Sequence, residues 1–261
     1  MAATKRRIDQ LLVEKGYAVS RHKAQALLLA GQVLVNGQKV EKSGRLVDCA
    51  AEIRILGEMP FVSRAGAKLK AALERFHILV SGRICADLGA STGGFTDCLL
   101  QNGAETVHAY DVGAGQLAWK LISDPRVVMH DHCNVRFLKA EDLPGQVSLV
   151  TADLSFISLT MVLGPLRDAL LAQSAGWAHR PAGFLIDLIV LVKPQFEVGK
   201  GAVGKGGVVR EKDKQQAALV AVEQCARAAG FAVCGSLPSP ILGAEGNQEF
   251  LLHLQFIPVS S

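Results

Sequence analysis

The sequence predicts an α/β doubly wound sheet of seven strands, preceded by a small basic α+β module. Three observations carry this reading. From about Phe61 onward, apolar runs of strand length alternate with amphipathic helical stretches. The last two strand-like runs follow one another without a helix-length crossover. Residues 1–45 hold nine Lys and Arg against three Asp and Glu, net +6, whereas the whole chain is formally only +4. With 261 residues, 49% of them hydrophobic and 20% charged, there is enough chain for one large core and an accessory domain.

The N-terminal module reads as two short helices and a hairpin. Ile8, Leu11 and Leu12 repeat at helical spacing. Ser20 can N-cap a second helix with Ala24, Leu27 and Leu28 on one face, and Gly31 can close it. Val33-Leu-Val-Asn36-Gly37-Gln-Lys-Val40 then alternates around an Asn-Gly pair, a hairpin signal because both turn residues must take positive φ. This order resembles the S4 RNA-binding domain, with Arg6, Arg7, Arg21, Lys23 and Lys39 as its candidate RNA contacts. A basic module on a near-neutral body is the footprint of a phosphate-backbone partner. With two Trp and two Tyr in the chain, shape and phosphate recognition is expected over base stacking. The expected division is 1–57 for the module, 58–62 for a linker and 63–261 for the larger domain.

In the larger domain, strands are expected near 84–88, 106–110, 127–129, 148–152, 185–192, 231–237 and 250–256, with helical stretches between the first six. Helices are expected over 63–76, with Leu69, Ala72, Leu73 and Phe76 on one stripe, and over 213–229, with Ala217, Val220, Ala221 and Cys225 on another. The final strand should insert antiparallel. Sheets of this kind take their ligands at the carboxyl ends of the strands.

Several classes are set aside by what the chain lacks. Its start shows neither the apolar core nor the cleavage site of a secretory signal, and its longest apolar run, 184–192, contains Asp187 and is too short to cross a bilayer. A cytoplasmic location without membrane association is expected. The six cysteines, Cys49, Cys85, Cys98, Cys133, Cys225 and Cys234, form no Cys-x-x-Cys pair, so no metal site is expected and buried thiols are the default.

The first strand ends in Asp87-Leu-Gly89-Ala-Ser91-Thr-Gly93-Gly94-Phe95-Thr96. Glycines let the backbone pass close to a bound group, and the start of the following helix favours an anion. The spacing is not Gly-x-Gly-x-x-Gly, which argues against a nicotinamide fingerprint. Asp111 follows about 20 residues on, at the end of the second strand, where a carboxylate can hold ribose hydroxyls. Together they imply a nucleoside-containing cofactor. A second glycine-rich stretch, Gly199 to Lys205, imitates a phosphate-binding loop, but Gly206 stands where Mg²⁺ binding needs Ser or Thr. With Lys200, Lys205, Arg210 and Lys212 it reads as a basic loop at the rim.

Further segments, Val62-Ser-Arg-Ala-Gly-Ala-Lys68-Leu, Asp111-Val-Gly-Ala-Gly-Gln-Leu, Ala152-Asp153-Leu-Ser-Phe-Ile-Ser-Leu, Leu191-Val-Lys193-Pro-Gln-Phe-Glu197 and Gly246-Asn-Gln-Glu249-Phe-Leu-Leu, complete the pattern. In order and content the chain resembles the TlyA family over nearly its whole length. That family joins an S4 domain to an FtsJ-like methyltransferase domain on a Rossmann-like sheet and is often labelled haemolysin. The resemblance implies methylation of ribose 2′-hydroxyls of ribosomal RNA, on cytidine, with S-adenosylmethionine as cofactor and ribosomal RNA or ribosomal subunits as partner. It implies cofactor contacts at Gly89, Ser91, Gly93, Gly94, Phe95, Asp111, Asn134 and Asp153. Within the implied catalytic set, Lys68 orients the ribose, Asp153 sits beside the methyl donor and steers Lys193, Lys193 serves as base, and Glu249 holds the lysine and the hydroxyl. Burial favours a neutral lysine and adjacent carboxylates a charged one, so the sequence leaves the protonation of Lys193 open. Two departures bear on packing: Ala65 and Ala67 replace a Gly and a larger apolar residue, and 177–187 lengthens the approach to the fifth strand.

Rival chemistries fit less well. Amino-nitrogen methylation would call for an Asp/Asn-Pro-Pro-aromatic segment where the chain has Asp153-Leu-Ser-Phe156, and thiolate-based carbon methylation lacks a cysteine at the fourth or fifth strand end. A haemolysin-like protein needs an amphipathic or spanning segment that is not found. A non-catalytic RNA-binding protein is at odds with the intact Lys-Asp-Lys-Glu set.

Overall fold

The computed structural model describes residues 5–29, 31–56, 60–174, 184–199, 201, 203–243 and 245–258. The chain divides into two compact units, Met1–Met59 and Pro60–Ser261. Part of the expected linker and most of the 177–187 lengthening, together with Lys200, lie outside the described residues.

In the first unit, β1 (Lys5–Arg7) leads directly into α1 (Ile8–Glu14), and α2 (Arg21–Leu29) follows. The Ser20 hydroxyl accepts from the Lys23 N–H at 3.2 Å, the expected cap. A hairpin joins β2 (Val33–Val35) to β3 (Gln38–Lys39) through Asn36 and Gly37, at φ 50° and 76°. β4 (Leu46–Asp48) pairs with β1, and β5 (Ile53–Ile55) completes a sheet of order β3-β2-β5. Ile8, Leu11, Leu12, Ala24, Leu28 and Val33 are its buried centre. The cap, the helical spacing and the Asn-Gly turn therefore all act where their residue types predict.

The second unit opens with α3 (Ala65–Arg75) and then alternates: β6 (Ile84–Leu88), α4 (Gly94–Gln101), β7 (Thr106–Tyr110), α5 (Trp119–Ile122), β8 (Val127–His130), β9 (Leu149–Ala152) and α6 (Leu163–Ser174). β10 (Ile186–Val192), α7 (Pro194–Glu197), α8 (Lys212–Ala228), β11 (Ala232–Pro238) and β12 (Phe250–Phe256) complete it. The seven strands stand in the order β11-β12-β10-β9-β6-β7-β8, with β12 antiparallel to both neighbours and every other pair parallel. All seven residues of β10 are buried, which explains its unbroken apolar character. Alternate residues serve opposite faces: Leu188, Val190 and Val192 pack with α6 and α8, while Ile189 and Leu191 pack with α3 and α4.

Three expectations need correction. No α-helix separates β8 from β9, where the chain makes only two single-turn 3₁₀ helices, Val135–Phe137 and Ala140–Asp142. The buried stripe of α8 is Ala218, Leu219, Val222 and Ala226, each next to a member of the expected Ala217, Val220, Ala221 and Cys225 set. Both stripes are apolar at helical spacing, and only packing against the sheet selects between them. Of the cysteines, Cys85 and Cys98 are buried, and burial pushes each thiol up to about 12, but Cys49, Cys133 and Cys225 are half-buried and Cys234 is exposed.

Asp187, which interrupts the apolar run of β10, sits in a buried polar cluster at the start of that strand. Its carboxylate accepts from Arg83 Nη1 at 2.8 Å and Gln255 Nε2 at 3.0 Å, and pairs with His253 Nε2 at 2.9 Å. Burial alone would raise this carboxyl, but the bonds from His253, Arg83 and Gln255 outweigh it and hold it at about 2, below the ordinary 3.8. A depressed carboxyl contributes stability above its unfolded value that is lost as pH falls through the folded one. Asp187→Asn should therefore be less stable than the parent by about 3 kcal/mol near neutral pH. That gap should narrow as pH drops from 3.8 toward about 2. Urea unfolding across this range checks it, and a gap independent of pH would show that the ionised carboxylate contributes nothing.

Candidate active site

The sheet delivers four chain segments to one end. β9 releases Asp153, β10 releases Lys193, and the parallel register pairs Ala152 with both Leu88 and Val190. Because β12 runs the other way, its first residue lies beside the last of β10: Val192 pairs with Phe250. Glu249, one residue before β12, is thereby brought to the end where Lys193 leaves the sheet.

The glycine segment after β6 is shaped by close approach. Gly89 has φ +81°, and a Cβ there would lie 2.7 Å from the Asp153 carbonyl oxygen. A Cβ on Gly94 would meet the Ser63 hydroxyl at 2.2 Å and Ala65 Cβ at 2.9 Å, so this glycine lets α3, which carries Lys68, approach α4. Asp111 spans the adjoining strand ends: one oxygen accepts from the Ser91 N–H and the other from the Gly113 N–H, both at 2.8 Å. Beneath them Asp87 is fully buried and accepts from the Thr96 and Thr151 hydroxyls at 2.7 and 2.9 Å. Burial pushes its carboxyl up to about 6 despite those bonds.

The four expected catalytic residues form two ion pairs. Lys193 Nζ lies 2.7 Å from Asp153 Oδ1 and donates to Ser155 Oγ at 2.8 Å. Lys68 Nζ donates to Glu249 Oε2 at 2.5 Å. Both lysines are 8% exposed and Glu249 is 3% exposed, so three of the four charges sit in the interior. Glu249, expected to hold Lys193, instead engages Lys68, and no hydrogen bond among the described residues links the two pairs.

Two cavities meet at this end. A cleft of about 960 Å³ is lined by Gly89, Ser91, Asp111, Asn134 and Asp153, five of the expected cofactor residues. A smaller one of about 170 Å³ is lined by Gly94, Phe95, Asp153, Ser155 and Lys193. Gly89, Ser91, Asp153 and Ser155 border both, so the expected cofactor side is continuous with the lysine. Gly93 instead faces Leu117 and Leu121, and the Phe95 ring, 2% exposed, is core. Phe95 borders the smaller cavity while its ring packs in the core, and Gly93 holds the turn without reaching either cavity.

Sequence reasoning missed three supports. Ser155 holds the Lys193 amine, and its only signal was position, two residues after Asp153. Glu197 accepts from the Ser158 hydroxyl at 2.5 Å and the Leu159 N–H at 2.9 Å, tying α7 to the loop after β9. Asn247, 1% exposed, accepts from the Val209 N–H and donates to the Gly207 carbonyl, each at 2.9 Å, which fastens the glycine-rich loop beside β12.

In the N-terminal unit, Arg7 and Arg21 converge on Asp9, which is 0% exposed: Arg7 reaches its two oxygens at 3.1 and 3.0 Å and Arg21 reaches one at 2.9 Å. The Arg7 bonds, against burial, hold this carboxyl well below the usual carboxylate range. Arg6 pairs with Glu14 and Lys39 with Glu41, while Lys23 has no ion pair among the described residues.

A parallel sheet with one antiparallel strand set in beside its edge, ligand loops at the carboxyl ends and an acid after the second strand define a Rossmann-like methyltransferase. Residues 61–256 match the FtsJ-like methyltransferase family and residues 6–52 match the S4 domain. A 16S/23S rRNA (cytidine-2′-O)-methyltransferase, TlyA, of Mycobacterium tuberculosis is 45% identical over 97% of this chain and 91% of its own. Hemolysin A of Brachyspira hyodysenteriae is 39% identical over 95% of this chain and 98% of its own. A solved structure described as a candidate hemolysin from Streptococcus thermophilus superposes with a TM-score of 0.71 at 39% identity, covering 99% of this chain and 91% of the other. The chain belongs to the TlyA family of FtsJ-like methyltransferases.

The cofactor of such an enzyme is S-adenosylmethionine. The residues present fit it: the cleft lies in the range of roughly 300–1,000 Å³ typical of small-molecule sites, Asp111 offers a carboxylate to a ribose, and Gly89 leaves its wall bare where any side chain would collide. Asp111→Ala should weaken S-adenosylmethionine binding by about 1.5–3 kcal/mol, the range for hydrogen bonds to a charged group. Calorimetric titration measures this. Unchanged affinity in a variant with a normal unfolding transition would discard Asp111 as the ribose clamp.

Proposed function

We propose that the chain methylates the ribose 2′-hydroxyl of a cytidine in ribosomal RNA, with the RNA gripped by the S4 module. The observation that carries this reading is the Lys193 amine, 8% exposed, tied to a carboxylate and a hydroxyl at the junction of the two cavities. The activity named for the M. tuberculosis relative supports the substrate. Among the described residues no helix is long and apolar enough to cross a membrane.

S-adenosylmethionine supplies an electrophilic methyl group when bound. A ribose hydroxyl is a poor nucleophile at neutral pH, so it must be aligned and relieved of its proton as its oxygen attacks. Lys193 is built to do both. An amine has three positions beyond its carbon chain; Asp153 and Ser155 occupy two, which leaves one for the substrate. In the neutral form that position is a lone pair, able to take the hydroxyl proton. Asp153 then faces the resulting ammonium and stabilises it. Lys68, held by Glu249, places a second cation near the same strand ends, suited to orienting the ribose or its phosphate. In the S4 module, Arg7, Arg21 and Lys23 offer donors to the RNA backbone.

Mapping of ribose methylation in ribosomal RNA from cells with and without the gene tests the reading as a whole. A cytidine 2′-O-methyl group present only with the gene is expected, and identical maps would end the proposal. For the mechanism, Lys193→Ala should lower single-turnover methyl transfer by about a hundredfold to ten-thousandfold while leaving S-adenosylmethionine affinity intact. Lys193→Arg should not rescue, because a guanidinium stays protonated. Near-parental transfer by either variant would remove Lys193 from its role. In the module, replacing Arg21 and Lys23 together by Ala should weaken RNA binding and reduce the magnitude of its salt slope by about two; an unchanged slope would show that these residues meet no phosphate.

A further inference from the structure

We propose that Gln195 reads the target base, by accepting a hydrogen bond from its exocyclic amino group. The proposal rests on the function stated above and adds the residue that selects the nucleotide. Gln195 lies in α7, two residues after Lys193, and lines the 960 Å³ cleft. Its Oε1 atom is buried and finds no hydrogen-bond donor among the described residues. A buried acceptor left unpaired is destabilising, and a ligand carrying the missing N–H removes that penalty.

The location favours the RNA base over the cofactor as the source of that donor. Asp111, the ribose clamp, ends β7, while Gln195 follows β10, three strands away in the order β10-β9-β6-β7. At about 4.8 Å per strand this is roughly 14 Å, so Gln195 stands with Lys193 at the β10 end of the cleft, away from the carboxylate expected to hold the cofactor's ribose. The base of the nucleotide being methylated hangs from the carbon next to the reacting one, so it must lie near Lys193. The platform is also rigid. Pro194 begins α7, the Phe196 N–H bonds the Lys193 carbonyl at 2.9 Å, and Glu197 is fastened to Ser158 and Leu159. With Oε1 turned to the base, the amide rewards an amine-bearing base such as cytosine and in that orientation faces the uracil carbonyl oxygen to oxygen.

The test uses the full-length protein and the ribosomal RNA segment that it methylates, made with cytidine or with the riboside of 2-pyrimidinone, which lacks only the amine, at the target position. The unaltered protein should lose roughly tenfold to a hundredfold in kcat/KM when the amine is removed. Gln195→Met, of similar shape but without the acceptor, should lose about as much on cytidine and be indifferent to the amine. Gln195→Glu keeps an acceptor and should keep the preference. Calorimetry should find S-adenosylmethionine affinity unchanged in both variants. An amine preference that survives in Gln195→Met overturns the proposal. So does a loss of cofactor affinity, which would assign the donor to the cofactor. If the unaltered protein shows no amine preference, the inference alone fails; if it methylates no cytidine ribose, the function reading fails and takes the inference with it.

Discussion

The register of β10 is the constraint on which the rest of the structure depends. It is buried along its whole length, parallel to β9 on one side and antiparallel to β12 on the other. Those pairings place Asp153, Lys193 and Glu249 at one end of the sheet from three distant parts of the sequence. A slip of one residue would turn Lys193 toward the opposite face, and a slip of two would carry Glu249 away by about 7 Å. Close packing on both faces opposes either slip, and Asp187 pins the register through His253 and Gln255 of β12. The hydrophobic pattern of one strand thus sets the geometry of the charged groups at its mouth.

Interior charge stands at both ends of this strand. Asp187 opens it and Lys193 follows it, about 20 Å apart at strand spacing. Desolvating such groups is costly, and well-packed apolar replacements are often as stable or more so, so ion pairs alone do not explain their presence. At the Asp187 end both carboxylate oxygens are engaged by Arg83, His253 or Gln255, which fits a role in fastening β12 to the sheet. At the Lys193 end the amine has only Asp153 and Ser155 as hydrogen-bond partners among the described residues and borders a cavity. The same kind of interaction serves architecture at one end and, on the proposed reading, chemistry at the other.

What could be read from the sequence follows from how local each signal is. Strand runs, the Asn36-Gly37 turn and the Ser20 cap depend on neighbours within a few residues, and the structure has them in place. The buried face of α8 depends on which of two adjacent apolar stripes fits the sheet, and the chosen one was off by a residue. Lys68, Asp153, Lys193 and Glu249 stood out by motif, but their pairing required three-dimensional register, so Glu249 meets Lys68 and not Lys193. Ser155, Glu197 and Asn247 lay inside recognised segments with nothing in their own types to announce a partner. Phe95 and Gly93 show the converse, a motif position whose side chain or missing side chain serves packing.

The buried carboxylate of Asp9 has a consequence for how the small module meets a partner. Arg7 and Arg21 are each about half exposed, at 44% and 53%, yet anchored from within by the same acid. A free arginine carries about 2 kcal/mol of rotamer entropy, which is forfeited when a ligand immobilises it. Here much of that ordering is done during folding, so if these arginines meet RNA as proposed, association need not rearrange the guanidinium groups. Folding and recognition are then coupled through one buried acid.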